Sequence, residues 1–178
     1  MADLRVGLTG GIAAGKSTVA GWLRESGFAV LDADQIVAEL YRPDAPGAAA
    51  VAALFGPAML TSAGGVDHAR LAERIFHDAK ARERLEQAIH PLVRETFERH
   101  ARRVDDVLVL EAPLLVEAGF VPHFDFVVTV EASIETRIRR AVERGLDADE
   151  ARRRLAAQTD ETTRTRVAHR VLRNDGTL

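Results

Sequence analysis

Gly10-Gly11-Ile12-Ala13-Ala14-Gly15-Lys16-Ser17 fits the pattern G-x-x-x-x-G-K-[ST] at every position. Its context fits too. Arg5-Val6-Gly7-Leu8-Thr9 before it reads as a short strand, and Val19, Trp22 and Leu23 after it recur at helical spacing, predicting a helix over Lys16 to Glu25. A loop of this kind must turn its backbone N–H groups inward around phosphate oxygens, and glycine permits those turns. The helix start adds unpaired N–H groups and the positive end of its dipole. Lys16 is placed to reach β- and γ-phosphates, and Ser17 to ligate Mg²⁺ through its hydroxyl. The motif points to a nucleoside triphosphate but leaves the next step open, because GTPases, ATPases and kinases share it.

Outward from the loop, Ser26-Gly27 ends the helix, and Ala29-Val30-Leu31 is a second short strand closed by Asp32-Ala33-Asp34. Strand, turn, helix and strand in this order open an α/β fold with a parallel sheet. Residues 35–104 contain no strand pattern. Helical apolar faces recur there at Ile36, Val37 and Leu40, at Ala48 to Phe55, at Leu71, Ile75 and Phe76, and at Leu85, Ala88 and Ile89, with Pro91 starting a further helix. Val107–Leu110 is the best central strand and Phe126–Val130 the next. Residues 133–168 are helical and arginine-rich, and Val171-Leu172 reads as a last short strand. The expected architecture is a three-layer α/β fold on a five-stranded parallel sheet. Its nucleotide-binding core covers 1–34, 105–132 and 169–178, a helical acceptor-binding subdomain covers 35–104, and an arginine-rich region with a lid covers 133–168.

Composition narrows the function. The 178 residues suffice for one core, and the absence of cysteine excludes disulfides, thiolate metal sites and cysteine nucleophiles. A net charge of −3 argues against a global attraction to nucleic acid or anionic membrane. No apolar run is long enough for a bilayer, and Met1-Ala2-Asp3-Leu4-Arg5 has no signal-peptide layout. A cytoplasmic protein, monomeric or weakly self-associating, is expected. Lysine occurs only at Lys16 and Lys80, so the Asn-Lys-x-Asp run of a guanine reader is absent. The histidines show no metal-ligand spacing.

A kinase using ATP and Mg²⁺ needs a group to orient the acceptor hydroxyl and take its proton. Asp32 and Asp34 stand at the C-terminal end of the second strand, the end that faces the ligand crevice in this topology. Asp34 is the candidate base, with Asp32 a secondary or Mg²⁺-linked carboxylate; a helix N-cap is the alternative for either. Glu111, after the central strand, reads equally as a Mg²⁺-linked carboxylate or a solvated strand end. Arg140 and Arg144 share a helix face with Arg137 beside them, a pattern suited to closing over γ-phosphate charge or to a surface paired with Glu135 and Glu143. His90 and Arg94 lie four residues apart and are candidates to face an anionic acceptor.

The chain resembles the dephospho-CoA kinase family. The likeness runs through Leu8-Thr9 and Gly10 to Thr18, Asp32-Ala33-Asp34, His90-Pro91-Leu92-Val93-Arg94, Pro113-Leu114-Leu115-Val116-Glu117, Arg140, Arg144, Ala156-Ala157-Gln158 and Asn174-Asp175-Gly176. The resemblance implies ATP-dependent phosphorylation of the 3′-hydroxyl of dephospho-CoA on a nucleoside monophosphate kinase-like fold. It implies nucleotide contacts over Gly10–Thr18, a catalytic aspartate within Asp32-Ala33-Asp34, a dephospho-CoA site around His90 and Arg94, and a phosphate-facing lid with Arg140 and Arg144. Ala13-Ala14 replaces the family's usual Gly-Ser, His169 stands at a usual Asp, and relatives continue past Gly176 into a final helix. Another nucleoside monophosphate or small-molecule kinase is the competing reading from the residues alone.

Overall fold

Continuous apolar runs become the central strands. In the computed structural model, which describes residues 2–176, these are β1 (Leu4–Gly10), β3 (Val107–Glu111) and β4 (Phe126–Glu131). With β2 (Ala29–Asp32) and β5 (Arg170–Arg173) they form a five-stranded sheet in the order β2-β3-β1-β4-β5. β1 runs parallel to both neighbours, with Leu8 opposite Glu111 and Gly10 opposite Val130. Parallel strands need covering on both faces, which is why their sequences are apolar throughout.

The chain forms two compact units, Met1–Leu31 with Ala101–Leu178, and Asp32–His100. In the first, α1 (Lys16–Glu25) lies on one face of the sheet, where Val6, Leu8, Ala20, Val109 and Val130 are buried with Val19 and Leu23 packed against them. Trp22 was expected on this apolar side but is 54% exposed, so Val19, Ala20 and Leu23 are the helix's inward contacts. The opposite face is crowded at Gly7, where a Cβ would stand 2.6 Å from Leu115 and 3.0 Å from Phe124. Three helices follow β4: α6 (Ile134–Glu143), α7 (Ala148–Ala156) and α8 (Glu161–Val167). Ser133, Asp147 and Asp160 cap them, each accepting backbone N–H groups of the first turn. His169 lengthens the pairing beside β5: its N–H donates to the Val127 carbonyl at 2.8 Å, and its Nδ1 accepts the Val127 N–H at 3.0 Å.

The second unit is helical, with α2 (Ala33–Leu40), α3 (Pro46–Phe55), α4 (His68–Phe76) and most of α5 (Ala79–Ala101). Among its described residues the only extended pairing is an isolated bridge between Leu60 and Val66. A helix start was expected at Pro91, yet α5 runs through it for 23 residues. Proline removes one helical donor, but Leu85, Ile89, Val93, Phe97 and Ala101 recur every four residues and are all buried, so one apolar stripe spans the break. Among the described residues no helix is long and apolar enough to cross a membrane.

The least ordinary part of the core is charged. Arg164 of α8 and Glu131 of β4 are 2% and 0% exposed and pair through Nε to Oε1 at 2.7 Å and Nη2 to Oε2 at 2.8 Å. Thr129 donates its hydroxyl to Oε1 at 2.6 Å, and Arg164 also donates to the Thr159 carbonyl. Burial pushes the Glu131 carboxyl up, but the hydrogen bonds from Arg164 and Thr129 outweigh it and hold the group below its ordinary range. Breaking such a pair leaves an uncompensated buried charge. Glu131→Gln should therefore lower unfolding free energy by about 3–5 kcal/mol in urea titrations. Because the folded-state pKa is depressed, this contribution is present above the unfolded glutamate range and fades as pH falls through the folded value. The gap between wild type and variant should accordingly narrow in acid.

Candidate functional site

The phosphate loop begins where β1 stops. Gly10 has φ +145°, and a side chain there would run into the Val130 carbonyl. Gly15, the N-cap of α1, has φ +111°, and a Cβ would overlap the Asn174 side-chain amide. Both positions therefore require glycine for conformation and for space. Ala13 also sits in the left-handed region, at φ 57°. There the strain on an L-residue is about 1–2 kcal/mol, while a buried methyl returns about 0.8 kcal/mol. The Ala13 methyl is packed with Ala141, Leu146 and Ala151, which offsets part of that strain.

The loop's carbonyls are held from outside. Lys16 Nζ donates to the Gly10 and Gly11 carbonyls at 3.0 and 3.1 Å. Arg137 Nε donates to the Ile12 carbonyl at 2.9 Å, and Asn174 Nδ2 to the Ala14 carbonyl at 2.8 Å. Gln158 Oε1 accepts the Ile12 N–H at 2.7 Å. Burial lowers the Lys16 ammonium's pKa, Glu111 opposes this, and Arg137 and Arg164 push it down further. An anion in the loop would offset both the burial and the neighbouring positive charge.

Ser17 is exposed in the first turn of α1, with Thr18 half-buried beside it. Glu111 is buried at 7% exposure, so it is not a solvated strand end, and it is a charge neighbour of Lys16. Arg140 donates to the carbonyls of Asn174 and Gly176, both at 2.9 Å, with a longer 3.5 Å approach to the Ala14 carbonyl. Arg144 is exposed at the end of α6. Arg137, read beside these two as a lid residue, is instead 6% exposed against the loop. The sequence alone does not show Arg137, Gln158 and Asn174 as braces of the loop; Arg137 reads there only as a neighbour of the lid arginines, and Gln158 and Asn174 only as parts of family motifs.

In the second unit, Asp32 is the cap of α2, its Oδ1 accepting the N–H groups of Asp34 at 2.8 Å and Gln35 at 3.3 Å. Asp34 follows one residue into the helix and is exposed. His90 and Arg94 lie one turn apart on α5, His90 half-buried and Arg94 exposed. Burial lowers the His90 pKa, with Glu86 opposing. Among the described residues no group of three or more His, Asp or Glu side chains could hold a metal.

A glycine-lysine phosphate loop closing the first strand of this parallel sheet, with arginines of the following helical layer tied to it, defines a P-loop nucleotide-binding fold. The family model described as dephospho-CoA kinase matches residues 4–178, and the chain belongs to that family. It is 41% identical to the dephospho-CoA kinase of Corynebacterium glutamicum, over 98% of this chain and 90% of that protein. It is 42% identical to that of Moorella thermoacetica, over 97% and 84%. Among solved structures, TT1252 from Thermus thermophilus superposes with a TM-score of 0.87 at 34% identity, covering 99% of this chain and 91% of that one. A shikimate kinase from Acinetobacter baumannii shares the fold at a TM-score of 0.57 and 17% identity, over 98% and 85%.

The two left-handed positions should behave oppositely. Ala13→Gly trades backbone strain against a lost methyl contact and should change unfolding free energy by less than about 1 kcal/mol in thermal denaturation. Gly15→Ala must displace Asn174 as well as strain the backbone, and should weaken ADP binding by at least about tenfold in calorimetric titration.

Proposed function

We propose that this protein, in the cytoplasm, transfers the γ-phosphoryl group of ATP to the ribose 3′-hydroxyl of dephospho-CoA, giving CoA and ADP. The observation that carries the reading is the phosphate loop itself, built without a mismatch on β1 of a chain whose family match runs from residue 4 to 178. In this reading the Gly10–Thr18 segment holds the triphosphate by those backbone N–H groups left open to it, the Ile12 N–H being given to Gln158, and Lys16 turns from the Gly10 and Gly11 carbonyls toward the β- and γ-oxygens. Asp34 accepts the proton of the acceptor hydroxyl as its oxygen bonds to the γ-phosphorus and ADP departs. Arg140 and Arg144 offset the charge spread over the transferring group, and lid closure around it excludes water.

The second unit, with His90 and Arg94 on α5, is proposed to hold the acceptor, an anionic molecule that suits a cationic side chain. Mg²⁺ takes one or two protein oxygens and completes its shell with phosphates and water. The exposed Ser17 hydroxyl in the first turn of α1 fits that donor set, with Asp32 or Glu111 as a carboxylate linked through water. When bound, the ion neutralises charge on the phosphates.

Release of ADP should be followed with Mg-ATP against dephospho-CoA, AMP, CMP, shikimate and no acceptor, with products checked by mass. ADP formed only with dephospho-CoA, together with CoA, is the expected result. A different productive acceptor would overturn the substrate assignment, and equal release without acceptor would make the protein an ATPase. Asp34→Asn should remove turnover by at least about a hundredfold while ATP affinity stays near that of wild type. Retained turnover would exclude Asp34 as the base.

A further inference from the structure

Arg137 is a buried cation whose own hydrogen bonds go to no carboxylate. The residue is 6% exposed, yet its hydrogen bonds go to neutral oxygens, the Ile12 carbonyl at 2.9 Å and Gln158 Oε1 at 3.2 Å. The same Gln158 oxygen accepts the Ile12 N–H at 2.7 Å, so Arg137 and Gln158 together grip both backbone polar atoms of one loop residue. The two carboxylates that act on Arg137, Glu131 and Glu161, do so at a distance, and each is paired with another arginine, Arg164 and Arg173. Burial, with Arg164 adding to it, lowers the Arg137 pKa, and Glu131 and Glu161 only partly oppose this, as befits a cation short of counter-charge. Room for the guanidinium comes from Gly11, where any Cβ would overlap it.

A brace needs only a donor, and a neutral one would avoid the cost of burying a charge among neutral groups. Two facts are then left to explain together, the charge and its position behind a loop that binds anions. We propose that Arg137 and Gln158 are positioning residues that preset the phosphate loop through Ile12, and that the bound nucleotide's phosphates serve as the counter-ion of Arg137. This rests on the nucleotide-binding reading above. It also gives Gly11 a role separate from backbone freedom, as the floor on which the guanidinium lies.

The test separates a counter-ion from a simple brace by the sign of two effects. Arg137→Gln keeps a donor and removes the charge. It should raise the melting temperature of the nucleotide-free protein and weaken ADP binding by about tenfold in calorimetric titration, with adenosine affinity unchanged. Gln158→Glu, close to isosteric, gives Arg137 a carboxylate partner within the protein and should have the same pair of effects. A brace alone predicts that stability and ADP affinity fall together in Arg137→Gln, and that outcome overturns the proposal. Should that variant fail to fold, Gln158→Glu decides: unchanged ADP affinity there also overturns it. Gly11→Ala should weaken ADP binding in wild type but have little further effect in an Arg137→Gln background; full additivity would remove Gly11 from the clamp. The failures are distinguishable, because a wild-type protein that binds no ADP sinks the nucleotide reading itself, whereas variants that bind as wild type does sink only the clamp.

Discussion

A phosphate loop is a turn built inside out. Its N–H groups must face an anion that is not part of the chain, so its carbonyls point back into the protein and need donors there. This requirement organises the nucleotide-binding unit. The carbonyls of Gly10, Gly11, Ile12 and Ala14 are met by Lys16, Arg137 and Asn174 side chains, from α1, α6 and the end of β5. The loop meets only part of this need itself, the Ala14 N–H donating to the Gly11 carbonyl at 3.1 Å, so side chains of three elements converge on it.

The C-terminal end of β4 is where these supports are joined. The Val130 carbonyl lies where a side chain on Gly10 would fall, which forces the chain into its turn as it leaves β1. The Glu131 carbonyl accepts the Asn174 N–H at 2.8 Å, and Asn174 in turn holds Ala14. The Glu131 carboxylate holds Arg164 and through it the start of α8, and Asp175 accepts the Ser133 N–H at 2.6 Å where α6 begins. Replacing this network by hydrocarbon could be neutral for stability. Its value is directional, since each bond fixes an orientation that apolar packing would leave loose.

These facts explain which parts were legible in the sequence. The loop and its flanking strand and helix were readable because their causes are local: glycines at forced dihedrals, a lysine one residue on, and apolar residues at strand and helix periods. All five strands were legible as apolar runs, to within a residue or so of their ends. The continuity of α5 through Pro91 was not, because local preference speaks for a break there. The signal that overrides it is the four-residue stripe from Leu85 to Ala101, which extends beyond any short window. Arg137 and Arg164 were opaque for a different reason. Arginine is ordinarily exposed, and what buries these two lies elsewhere in the sequence: Glu131 for Arg164, and Gly11 and Ile12 for Arg137. The spacing of Arg137, Arg140 and Arg144 shows a shared helix side but not that one of them turns inward.

The balance of charge around the loop gives the local arrangement a meaning that composition conceals. The whole chain is net negative, at −3. Yet Lys16 sits among Arg137, Arg164, Glu111 and Glu131, a set with one positive charge in excess. That excess is kept in a partly dehydrated place, where each charge acts more strongly than it would in water. A net-acidic protein with a locally cationic loop can favour a small, highly charged phosphate at one point without a general attraction to polyanions. Any such preference depends on where a few cations are buried and not on how many the chain contains.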